Sequence, residues 1–178
     1  DNAAGVAALL AVADASATRV ARGQAPARTI AFAATASDTL DLLGATALFG
    51  DGPFHRAQLV AVVSLDVLIP TGGSPLVAIG SDGDLSARLS NLGVEQATAP
   101  SAAPHPRLAH EVAIARGIPA VTLTRHDGGA VADGGPMTEP PSSLVHDADR
   151  VLDLIWGLAD AEPGVDVAPT TVTSPAPE

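Results

Sequence analysis

The stretch "RTIAFAATASDTLDLLGATALF", Arg28 to Phe49, decides how the chain is read. Residues 29–35 carry the apolar and β-branched character of a covered strand. Residues 40–49 carry a helix with Leu40, Leu43 and Ala47 on one face. Between them Ser37, Asp38 and Thr39 make a turn. A turn that follows a strand is where open α/β folds place ligands and chemistry.

Outward from this stretch the chain alternates helix and strand. Residues 2–20 predict a helix, with Asn2 as N-cap and Val6, Leu9, Leu10, Ala13 and Ala17 recurring at helical spacing. "AQLVAVVSLDVL" (57–68) holds the run of a strand covered on both faces. Residues 76–81 predict a strand, 82–92 a helix and 96–106 a Pro/Ala loop. "PRLAHEVAIARG" (106–117) is a helix punctuated by Pro106 and Gly117. Residues 118–124 predict a short strand and 125–143 a long Gly/Pro-rich loop, a length that often carries function. The last helix spans 144–159, with Val145, Ala148, Leu152, Ile155 and Ala159 facing inward. This alternation predicts an α/β domain over residues 1–160: three layers, α/β/α, around a mixed, mainly parallel sheet. Residues 161–178 read as a Pro/Thr-rich tail or linker.

The composition sets bounds. The 178 residues suit about one domain. The formal charge is −11, and all nine basic residues are arginine. No basic patch exists for nucleic acid or an anionic membrane surface. The Lys-free, Ala/Arg/Gly/Pro-rich usage suits a high-GC bacterial genome. With no cysteine, disulfides, thiolate catalysis and Cys-based zinc sites are excluded. No signal peptide and no apolar run of transmembrane length stand out in the sequence.

Four stretches in order carry a family resemblance: "DNAAGVAALL" (1–10), "RTIAFAATASDTLDLLGA" (28–45), "VAVVSLDVL" (60–68) and "HEVAIARGIPAVTLT" (110–124). Together, over roughly residues 1–155, they resemble the di-zinc aminopeptidase-like family. That family holds leucyl-type aminopeptidases, glutaminyl cyclases and the non-catalytic transferrin receptor ectodomain and nicastrin. The resemblance implies a phosphorylase/hydrolase-like zinc-exopeptidase fold, truncated at its N-terminus. A chain opening at Asp1 would lack the family's first strands. An upstream segment of the same parent protein, a protein partner or self-association is then expected to cover the open sheet.

The resemblance also implies a site. Asp1 falls on the bridging carboxylate and Asp66 on a second zinc-binding Asp. Asp38 falls on the general base, one methylene short of the usual Glu, and Thr39 on the adjacent Glu ligand. In "MTEPPSS" (137–143), Thr138 falls where the family has a His ligand. Neutral hydroxyls are poor zinc donors beside carboxylate and imidazole. The expectation is a catalytically degenerate aminopeptidase-like domain without cofactor, acting as a binding or scaffold module. It would belong to a larger secreted or membrane-anchored, hence extracytoplasmic, protein. The alternative is an active zinc-dependent exopeptidase removing N-terminal residues, with Asp38 as its base. A third reading keeps the pocket as a binder of small molecules or peptide termini.

Each residue also has a plain structural role. Asp1 and Asp66 serve as acids at element ends. Asp38 or Thr39 caps the following helix. His110, where the family often has an Asp-His pair, serves as a structural histidine. His126 and Glu139 are candidate replacement ligands in the long loop. His146 and Asp149 lie on the polar face of the last helix.

Overall fold

The computed structural model describes residues 2–37, 40–50, 52, 59–66, 68, 75–80, 83–97, 108–125 and 141–161. Its elements run α1 (Ala3–Ala21), α2 (Leu43–Gly50), β1 (Val62–Leu65), β2 (Val77–Ile79), α3 (Gly83–Asn91), β3 (Glu95–Ala97), α4 (Ala109–Ile114), β4 (Ala120–Thr124) and α5 (Pro141–Asp160). The sheet order is β1-β4-β2-β3. β1 pairs with β4, and β2 with β3, in parallel; β2 meets β4 antiparallel. The fold is the mixed, mainly parallel α/β sheet that the sequence predicts.

Alternation along β4 sorts the helices into layers. Val121 and Leu123 point into the main core with Ala4, Ala8 and Val12 of α1, Leu85 and Leu89 of α3, and Leu152 and Trp156 of α5. Ala120 points the other way, against Ala113 of α4, with Phe49 of α2 packed on that cluster. A period of two along the strand therefore separates α1, α3 and α5 from α2 and α4.

The helix ends follow local chemistry. Asn2 caps α1, its side-chain oxygen accepting from the Gly5 N–H at 3.1 Å. Past α4, Gly117 stands at φ 70°. Its N–H donates to the Ile114 carbonyl at 2.7 Å, and the Ile118 N–H donates to Ala113 at 3.1 Å. Those paired bonds close the last turn and need a left-handed residue that glycine adopts without a Cβ clash.

Several expectations are corrected. Residues 29–35 form no strand; they run without regular structure, and residues 31–37 are exposed. A strand is made by its partners as much as by its residues, and no described strand pairs with this one. The expected loop at 96–106 contributes to β3 at its start. The buried stripe of α1 is Ala4, Gly5, Ala8, Val12 and Ser16, so Val6 and Leu10 face solvent. Small residues face α5 and the sheet because the helices pack closely there. Leu40, Leu43, Ala47 and Val145 are likewise exposed, and α2 buries Ala45 beside Leu42. α1 is also long and apolar enough to cross a membrane, with 19 residues and a mean hydropathy of 1.4. Its alanines supply that hydropathy, and Asp14 and Arg19 are its charges. In this fold α1 packs against α5 and β1.

Candidate functional site

The site is built where α1 begins and β1 ends. Asn2 does two jobs there. While its oxygen caps α1, its amide nitrogen donates to the Leu65 carbonyl at 2.6 Å. Gly5 makes the cap possible, since a side-chain carbon on it would collide with the Asn2 amide. One residue beyond Leu65, the Asp66 N–H donates to Leu123 at 3.0 Å. The half-buried Asp66 is thus fixed to both its strand and β4. Asn2 follows Asp1, and Leu65 precedes Asp66. One hydrogen bond therefore ties together the neighbours of both expected metal-binding carboxylates, at the carboxyl end of a parallel strand.

Asp1, Asp38, Thr39, His126, Thr138 and Glu139 lie outside the described residues. The residues flanking Asp38 and Thr39 are described. Ser37 has φ 66°, Asp41 has φ 54° and Leu42 has φ 57°. The Leu40 N–H donates to the Ser37 carbonyl at 3.0 Å. A left-handed backbone is uncommon for a non-glycine residue and unusual for leucine. Leu42 accepts it with its side chain buried against Ala45 and Val112. Strain of this kind concentrates at functional turns.

His110 reaches into the sheet from α4. Its Nδ1 and the Thr122 hydroxyl lie 2.8 Å apart, both residues buried. The other edge of the ring lies against Gly80, which stands at φ 88°. Any side chain at Gly80 would enter the imidazole. Burial pushes the His110 pKa down from its usual value, and the neighbouring Glu111 carboxylate opposes that. His110 is a structural histidine, as its plain role predicts. His146 and Asp149 are exposed.

The sequence gives no sign of one pair at the root of the long loop. Arg125 follows β4 and grips Asp147 of α5 with two bonds, Nε to Oδ2 at 2.6 Å and Nη2 to Oδ1 at 3.0 Å. The Asp147 side chain is fully buried. An acid between the exposed His146 and the buried Ala148 gives no hint of burial until α5 is laid on the sheet. Among the described residues, no three His, Asp or Glu side chains gather at one point.

Beside β1 lies an open groove of about 860 Å³. It is lined by β1, by residues 27–33 and Thr35, and by apolar side chains of α1, α2 and α5. Its lining is mostly apolar, with Arg28 at one end. The Arg28 guanidinium is engaged by the carbonyls of Leu158, at 3.3 Å, and Ala161.

Against this geometry stand two comparisons. The family model described as peptidase family M28 matches residues 1–146. Among solved structures, the aminopeptidase from Aneurinibacillus sp. strain AM-1 is similar in fold, with a TM-score of 0.54 and 18% sequence identity. The alignment covers 81% of this chain and 36% of the aminopeptidase, so the chain spans about a third of that enzyme's length. No curated protein sequence matches the chain.

Proposed function

The chain belongs to peptidase family M28, and on that premise we propose that it is a catalytically degenerate aminopeptidase-like domain used as a binding or scaffold module. The observation that carries this reading is the contrast between frame and donors. The frame is kept: Asn2 bridges the start of α1 to the end of β1 beside Asp66. By the correspondence that the resemblance implies, the donors are not: two of the family's ligand positions hold Thr39 and Thr138.

Members of this family are typically zinc-dependent. Tight zinc sites are built from imidazole, thiolate and carboxylate. The carboxylates at hand are Asp1, Asp66 and the shortened Asp38, and two of the remaining positions carry neutral hydroxyls. That set does not fit a two-zinc centre. A base displaced by on the order of 1 Å already lowers a rate by about 10²-fold. The frame that remains offers an apolar groove beside β1, which suits recognition without turnover.

An extracytoplasmic setting, secreted or membrane-anchored, belongs to the same proposal. The length and apolar composition of α1 are consistent with it.

Zinc analysis tests the proposal. The purified chain is loaded with excess zinc, desalted, and assayed for bound metal and for hydrolysis of aminoacyl anilides. The expected result is well under one zinc per chain and no turnover. Two zinc per chain, with turnover lost in Asp66→Asn, establishes the active exopeptidase instead. Replacing Thr39→Glu and Thr138→His together is expected to raise zinc retention, because it restores two strong donors.

A further inference from the structure

α4 is lightly attached, and much of its attachment is one histidine. The helix buries His110, Val112 and Ala113. Val112 and Ala113 sit in two small clusters, with Leu42 and Ala45 in one and Ile118 and Ala120 in the other. The core shared by α1, α3 and α5 is far larger. The His110 ring reaches from α4 to both members of the antiparallel pair β2–β4. Its Nδ1 lies 2.8 Å from the Thr122 hydroxyl on β4, and its Nε2–Cδ2 edge lies against Gly80, just past β2. Gly80 stands at φ 88°, where the chain leaves the strand towards α3.

We propose that His110 is an acid-released latch: on taking up a proton the ring leaves its niche between Thr122 and Gly80, and α4 parts from the sheet while α1, α3 and α5 stay packed. This holds whether or not the chain binds metal.

The niche suits a neutral ring. A neutral imidazole has one N–H donor and one acceptor, and a hydroxyl satisfies Nδ1 in either tautomer because it both donates and accepts. An imidazolium has two N–H donors. The one on Nε2 would face Gly80, which has no side chain to accept it. A buried charge left short of a partner is expensive to keep out of water. The elements around the ring add little to hold that charge. α2, β1, β2 and β4 contain no charged residue, and Ser64 is the β1 partner of Thr122 in register. Asp66 and Arg125 follow the ends of β1 and β4, and Arg125 is bound to Asp147. On α4 itself Glu111 favours the proton, but desolvation outweighs it. The Glu111 carboxylate also accepts the Leu108 N–H at 3.3 Å, at the start of the helix. Past the end of α4, the Arg116 guanidinium donates to the Val112 carbonyl at 3.3 Å. With the ring gone, a short helix keeps only its two small apolar clusters, which places it among the segments that open by themselves.

Amide exchange of the whole chain in low, increasing urea, at about pH 7 and about pH 5, tests the latch. Amides 112–118 are expected to exchange through an opening that costs less than that of α1 and α5 and depends little on urea, since it exposes little surface. Below about pH 6.5 their protection is expected to fall by up to about tenfold per pH unit, because the released ring binds a proton that the seated ring does not. In His110→Gln this small opening should keep no such pH dependence. Glu111→Gln gives a second reading, which stands even where His110→Gln fails to fold. It removes the carboxylate that favours the proton in the niche, so the fall should continue to lower pH than in the wild type. Three results overturn the proposal. One is the steep urea dependence of α1 and α5 shared by 112–118 at both pH values, meaning that α4 opens only with the whole molecule. Another is a fall that survives in His110→Gln. The third is a fall that stops at the same or a higher pH in Glu111→Gln.

Discussion

Two regions around the sheet are held by different means. One is the junction of α1 with α5, where contacts are dense and specific. The Trp156 indole N–H donates to Ser16 Oγ at 3.1 Å. The Arg19 guanidinium lies 5.1 Å from the Trp156 ring centre and 3.0 Å from the Asp153 carboxylate. Beside the β1 edge, among the described residues from Thr29 to Leu42, the chain is mostly exposed and contains three left-handed non-glycine residues. The first region has the traits of a rigid frame. The second has those of a segment whose ordering depends on something that covers it. The proposed site lies along their boundary, and Asn2 and Asp66 are fixed from the frame side.

The sharpest way to break this contrast is to cut the frame at Arg125–Asp147. Asp147→Ala leaves a guanidinium with 12% side-chain exposure facing the space of a fully buried carboxylate. Breaking a buried pair from one side costs about 3–5 kcal/mol. Urea denaturation is expected to show a loss of that size. A loss below about 1 kcal/mol would place the root of the long loop with the exposed segment 29–42 and not with the frame.

Next in size is Gly80→Ala. A side chain there enters the His110 ring, and φ 88° is strained for any L-residue. Left-handed strain costs about 1–3 kcal/mol, to which the displacement of a buried ring adds. The melting temperature is expected to fall, and the Thr122–His110 bond to be lost. Pairing Gly80→Ala with His110→Ala separates the two effects: part of the loss should be recovered when the ring is gone.

How much of this was legible in the sequence divides along the same line. The order of the elements was, because Gly117, Asn2 and the run 118–124 are local signals that the fold obeys. The joining of the Asp1 and Asp66 neighbourhoods was legible through the resemblance. The Asn2–Leu65 bond across 63 positions was not, since an asparagine at an N-cap says nothing about its second polar group. Asp147 was illegible for a similar reason: an acid on a helix is buried only if a particular arginine meets it. The strand expected at 29–35 shows the converse. Composition marks a segment as able to pair; only a neighbouring edge at the right distance makes it a strand. The buried stripe of α1 is not the one marked by the helical spacing of Val6, Leu9, Leu10, Ala13 and Ala17. Close packing against α5 selects the alanines and Ser16 instead.

The pH dependence of stability sharpens the contrast at its midpoint. His110 is buried and its pKa is lowered by desolvation, with Glu111 opposing. The groups that meet the ring from the strands are the Thr122 hydroxyl of β4 and Gly80 after β2, neither of them charged. The unfolded chain therefore binds a proton near pH 6.5 that the folded chain takes up only at lower pH. Between those two values the unfolded state holds more protons, so stability rises with pH. Lowering the pH below about 6.5 is expected to destabilise the wild type. In His110→Gln that part of the slope should vanish. An unchanged slope would assign the acid sensitivity to the carboxylates.

The smallest expected effect is a gain, and it comes from the other region. Ser37 is exposed at φ 66°. An L-residue in that conformation carries roughly 1–2 kcal/mol of steric cost. Glycine removes it, while its freer unfolded chain takes back about 0.5–1 kcal/mol. Ser37→Gly should thus raise stability slightly, by up to about 1 kcal/mol. In the frame the same kind of change is expected to act in the opposite direction, because Ser16→Gly removes the hydroxyl that receives the Trp156 indole and opens the middle of a helix. Measuring the two variants side by side by urea denaturation tests whether strain is confined to the segment 29–42. A loss at Ser37 equal to that at Ser16 would mean that the turn is held by contacts as specific as those between α1 and α5.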